Sequence, residues 1–89
     1  MTKPVKVHDQ ARRDALMALI RKEHPSRASH ALQALGMLVI GTGYLVTYRI
    51  ENAFPRDKIN RDEYRVAFMH EDGIIWDRST RFPDPGAST

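Results

Sequence analysis

The sequence predicts an α+β domain: two N-terminal helices packed on a three-stranded antiparallel sheet, in the order ααβββ. Three observations carry this. Up to about residue 40 the apolar residues recur at intervals of three and four, and from Tyr44 onward they recur at two. Gly41-Thr42-Gly43 lies between the two regimes, where a chain break is expected.

The first helix is expected from about Asp9 to Glu23. Asp9 can accept a hydrogen bond from a free backbone N–H of the first turn, and Ala15, Leu16, Leu19 and Ile20 form one apolar face. Pro25 disfavours helical geometry at His24 and ends the element. Ser26 then reads as a second cap. Ala28, Ala31, Leu32 and Leu35, continued by Leu38 and Val39, keep helical spacing to Gly41. That version places Gly36 inside a helix at a cost of about 1 kcal/mol. In the shorter version the helix ends at Gly36, and Met37 to Ile40 form a strand.

Tyr44, Val46, Tyr48 and Ile50 alternate with Leu45, Thr47, Arg49 and Glu51, the pattern of a half-buried strand. Glu63 to Glu71 alternates likewise, with Tyr64, Val66 and Phe68 opposite in sense to Arg65, Ala67 and Met69. A turn at Glu71-Asp72-Gly73 leads into Ile74–Arg78. A three-residue loop with Gly73 left-handed pairs Phe68 with Trp76 and His70 with Ile74, gathering the aromatics on one face. That face is assigned to the helices, so Trp76→Ala is expected to cost about 3–5 kcal/mol. Asn52 to Asp62 is long for a hairpin loop and carries Arg56, Lys58 and Arg61.

Eighty-nine residues, 42% of them hydrophobic and 28% charged, suit one folded domain with a modest core. Residues 1–8 read as a flexible N-terminal arm, 9–82 as the domain and 83–89 as a flexible C-terminal tail. The absence of cysteine excludes disulfides, thiolate nucleophiles and cysteine-based zinc sites. No apolar stretch is long enough for a bilayer helix, and the N-terminus lacks a signal-like apolar segment. The plain expectation is a cytoplasmic protein with no membrane contact.

Catalytic chemistry finds little support. His8, His24, His30 and His70 show no metal-ligand spacing, and no nucleophile elbow occurs. Gly41-Thr42-Gly43 lacks the Lys and Ser/Thr of a phosphate loop, and the acidic residues are scattered. No cofactor, no metal and no enzymatic activity are expected.

Two readings of function follow. The first is a small non-enzymatic interaction protein, of adaptor or inhibitor type, docking on a larger protein partner. Small accessory proteins of phages and mobile elements share this general form, a likeness of form alone. Its contacts would come from the arginine-rich loop and the open sheet face: Arg49, Arg56, Lys58, Arg61, Arg65 and Met69. The second is a DNA- or RNA-binding regulator of winged-helix-like form with a basic wing, using Arg12, Arg13, Arg27, Ser29, His30 and Gln33. The net charge of +3 is weak for a dedicated nucleic-acid binder, and arginine richness equally follows from a GC-rich genome. Trp76 and Phe68 would suit stacking on single-stranded bases only if they escaped the helix-covered face. An open edge and face also predict a symmetric homodimer over a monomer.

Overall fold

A computed structural model describes residues 4–25 and 30–80. Its order is β1 (Val5–Lys6), α1 (Gln10–Glu23), β2 (Leu32–Ile40), β3 (Gly43–Ile50), β4 (Glu63–His70) and β5 (Gly73–Ser79). The strands form one five-stranded antiparallel meander, β1-β2-β3-β4-β5. The fold is thus mostly β with one helix among the described residues, not two helices on a three-stranded sheet.

Helix α1 begins and ends where its residues dictate. Asp9 Oδ1 accepts from the backbone N–H groups of Ala11 and Arg12, at 3.0 and 3.3 Å. His24 closes the C-terminus through its N–H to the Arg21 carbonyl. Leu16 and Ile20 are fully buried and Met17 and Leu19 pack beside them, whereas Ala15 is exposed.

From Leu32 the expected second helix is replaced by β2, and its cap Ser26 and Ala28 lie outside the described residues. The register of β2 with β3 slips between Ala34 and Gly36, leaving Leu35 as a bulged residue, 51% exposed. The bulge shifts the in–out alternation by one place, so Leu32, Leu35, Leu38 and Val39 imitate helical spacing. Met37 to Ile40, the short strand of the alternative version, is the distal part of β2. The expected N-terminal arm is also partly structured. Val5 and Lys6 pair with Val39 and Leu38, and Val7 is buried.

The covered face carries Met37, Tyr44, Val46, Tyr48, Ile50, Ala67 and Met69, all buried beneath α1 with Val7, Leu16 and Ile20. The inward set of β3 agrees with its alternation, but the assignment of β4 is reversed. Tyr44 pairs with Met69 and Val46 with Ala67, so Tyr64, Val66 and Phe68 point to the other side. Phe68 does pair with Trp76, as expected, but on the uncovered face. His70 pairs with Gly73 rather than Ile74, because the turn has only Glu71 and Asp72 and the extra residue, Ile75, sits in a bulge. The short axis of the molecule is 19 Å, the depth of one sheet and one helix. The expected tail, residues 83–89, lies outside the described residues. No helix among the described residues is long and apolar enough to cross a membrane.

Candidate interaction surface

Cross-strand pairing sorts the uncovered face into rows. One runs across the whole sheet: Lys6, Leu38, Leu45, Phe68 and Trp76. The next holds Gly36, Thr47, Val66 and Arg78, and a third holds Gln33, Arg49 and Tyr64. The first row is apolar beyond Lys6, yet Trp76 remains 38% exposed and Tyr64, at the end of the third, 45%.

Glycine makes the aromatic packing here. A Cβ on Gly43 would lie 2.5 Å from Phe68 Cζ, so only the bare backbone lets that ring lie against the sheet. The Phe68 and Trp76 rings then stack at 6.2 Å and 28°, and His70 meets Phe68 edge-on at 5.9 Å. The Arg78 guanidinium lies 5.7 Å from the indole centroid.

Charge divides unequally between the two faces. No strand residue pointing to the uncovered side is acidic, whereas Lys6, Arg49 and Arg78 are basic. Arg49 is held by Glu51 at 2.9 Å and Asp62 at 3.5 Å, and it also bonds Gln33. Its bond with Tyr64 outweighs partial burial and, with those carboxylates, holds its pKa above the usual value. Among the described residues neither Lys6 nor Arg78 pairs with a carboxylate.

The loop between β3 and β4 adjoins this face at Tyr64. It is an organised loop: Phe54 N–H bonds the Arg61 carbonyl at 2.8 Å, and Asp57 Oδ1 accepts from Ile59 and Asn60. Lys58, Asn60, Arg61, Tyr64 and Thr80 line an open cleft of about 500 Å³. Arg56 lies in the same loop, beside a second hollow formed with Phe54 and Pro55.

The covered face holds the sheet's acids in a polar knot beneath the end of α1. Tyr48 Oη donates to Asp77 Oδ2 at 2.5 Å, and Arg65 Nε contacts Asp77 Oδ1 at 3.0 Å and Tyr48 Oη at 3.1 Å. Arg65 also reaches Glu63 at 2.8 Å. His24 Nε2 sits 3.0 Å from Asp77 Oδ2 and 2.9 Å from Tyr48 Oη. Because Tyr48 already donates to Asp77, this arrangement assigns the imidazole proton to Nε2, donating to the same carboxylate. Burial, then the bond to Asp77, pushes the Tyr48 phenol well above its ordinary pKa, so it stays a donor. Burial opposes the charge on Arg65, but Asp77 and Tyr48 together more than restore it. This knot clamps helix to sheet.

The residues singled out from sequence are dispersed by the fold. Arg49 lies on the uncovered face, Lys58 and Arg61 line the cleft beside Tyr64, and Arg56 lies elsewhere in the loop. Arg65 points the other way, into the polar knot, and Met69 is 0% exposed in the core, so neither offers a surface contact. Gln33 is on β2 against Arg49, not on a recognition helix, and His30 Nδ1 bonds the Glu51 carbonyl at 3.1 Å. Arg12 pairs with Glu71 and covers Tyr44, while Arg13 lies on α1. Arg27 and Ser29 lie outside the described residues. Sequence reasoning missed Tyr64 and Arg78 as surface groups and Asp77 as the centre of a network. The β4 alternation carried the signal for Tyr64, but not its sense. Among the described residues no cluster of His, Asp and Glu has metal-binding geometry.

Comparison of the chain with family models, with curated proteins and with solved structures gives no match.

Proposed function

We propose that this protein is a non-catalytic binding module, working in the cytoplasm, that presents the uncovered face of its sheet to a macromolecular partner. The observation that carries the reading is the row Leu38–Leu45–Phe68–Trp76, apolar across four strands, with no second layer over it among the described residues. Such a surface is costly to leave in water, and its aromatic and arginine composition is that of binding hot spots. The loop at Lys58 and Arg61 extends the same face beyond Tyr64. A winged-helix mode is not retained, because the element it requires is strand β2.

A photo-crosslinking amino acid at Leu45, compared with the exposed Ala18 on α1, tests the reading in cell extract. Discrete adducts from position 45 and none from position 18 are expected. Equal labelling, or none from either, would remove the uncovered face as the working surface.

A further inference from the structure

Resting on that reading, we propose that the partner on the uncovered face is a single-stranded nucleic acid. Its bases stack on Trp76 and Tyr64, and its phosphates meet Arg78 and the loop cations Lys58 and Arg61. Stacking needs planar side chains that are exposed yet held in place. The Trp76 indole is braced by Phe68, whose own ring is seated over Gly43, and Tyr64 projects from the same face of β4. Four residues along β4 separate Tyr64 from Phe68, the cross-strand partner of Trp76, or about 13 Å. That interval suits the two or three bases that open sheets bind in this way.

Charge selects the same occupant. The strand residues of this face include Lys6 and Arg78 and no acid, and the rim acids Glu51 and Asp62 are engaged by Arg49. The sheet's other carboxylates, Glu63 and Asp77, are on the covered side and bound by Arg65. Arg78 lies over the indole and pairs with no carboxylate among the described residues, so it can exchange this contact for a phosphate. A second copy of this chain would instead set Lys6 and Arg78 against like charges on the same face. A duplex keeps its bases stacked on each other, so it offers the rings nothing to stack upon.

Trp76 is the only tryptophan, so its emission reports on this face. The experiment titrates the full chain with twelve-nucleotide oligo(dT) and oligo(U), and follows labelled strands by anisotropy with an abasic strand and a duplex as controls. Expected are quenching of Trp76, micromolar affinity at low salt, and weaker binding of both controls. Affinity should fall with salt by about 0.7 log unit per log unit of salt for each phosphate-bound cation. W76A and Y64A should each weaken binding about tenfold or more, and W76F should largely preserve it. R78A, which removes no ring, should lower the salt slope by about 0.7. Circular dichroism confirms that each variant is folded. Absence of quenching, equal affinity for the abasic strand, or a sedimentation mass that doubles as Trp76 becomes protected would overturn the proposal. Protein adducts from position 45 without oligonucleotide binding would overturn it while leaving the broader reading intact. Loss of both would remove both.

Discussion

Asp77 is the point at which the fold is most exposed to a single change. Its two oxygens accept from Tyr48, Arg65 and His24, tying β3, β4 and the end of α1 to β5. Asp77→Asn keeps the shape but replaces one acceptor by an N–H₂ group that faces donors, and it removes the charge opposite Arg65. Removing one partner of a buried ion pair costs about 3–5 kcal/mol. The side chains of Arg65 and Asp77 retain 17% and 12% exposure, so water relieves part of the loss and the lower figure, about 3 kcal/mol, applies. A chain of 89 residues has about 4–13 kcal/mol of stability in all. Thermal unfolding followed by circular dichroism should therefore show Tm lowered by about 12–24 °C. Adding Arg65→Met together with Glu63→Gln, which removes the unbalanced cation and the buried carboxylate it also holds, should recover a good part of that loss. A Tm within about 4 °C of the parent, or a triple variant worse than the single by a further full increment, would refute the coupling.

Other consequences follow from the packing and the titrating groups. Gly43→Ala puts a Cβ 2.5 Å from Phe68 Cζ and 3.1 Å from the Met69 carbonyl, and should cost about 1–3 kcal/mol in urea unfolding. The same change in a Phe68→Ala background should cost clearly less, and equal costs would dismiss the close approach. Trp76→Ala opens its site to solvent and leaves no enclosed cavity, so about 1–2 kcal/mol is expected, against the 3–5 kcal/mol of a core tryptophan. Unfolding of the domain by that substitution would return the indole to the core. The raised pKa of Tyr48 means the folded chain keeps a proton that the unfolded chain releases above pH 10. Its contribution is thus full below pH 10 and lost as pH rises further, by at most about 1.4 kcal/mol per pH unit. Tyr48→Phe should flatten that alkaline fall in urea titrations from pH 9 to 11, and an unchanged slope would place the titration elsewhere.

Much of the fold was legible where local chemistry decides the outcome. Asp9 and Pro25 bracket α1, and the alternation of Tyr44, Val46, Tyr48 and Ile50 identifies the buried side of β3. Two features escaped because they are not local. The β2 bulge at Leu35 breaks the period of two and leaves a spacing indistinguishable from that of a helix. The sense of β4 depends on its register with β3 across a long loop, which does not set register as a two-residue turn does. A shift of one place exchanges Phe68 with Met69, and assigning the larger rings to the core was the wrong choice. The candidate surface was hidden for the same reason, since its recognition depends on which face of β4 is free.

The two faces of the sheet explain each other. A single helix can cover only one side, and α1 covers Met37, Val46, Ile50, Ala67 and Met69 together with Tyr44 and Tyr48. Phe68, Trp76 and Tyr64 are left on the other side, with Phe68 seated over Gly43 and stacked on Trp76. Glu63 and Asp77 are the acids the strands carry, and both are spent beneath the helix against Arg65. If the uncovered face had no ligand to meet, acidic and basic residues interspersed there would favour solubility at no cost to the core. The segregation instead leaves rings and the basic Lys6 and Arg78 together, with loop cations at the Tyr64 end. That pairing of flat apolar surface with positive charge is what an anionic chain of stackable bases requires.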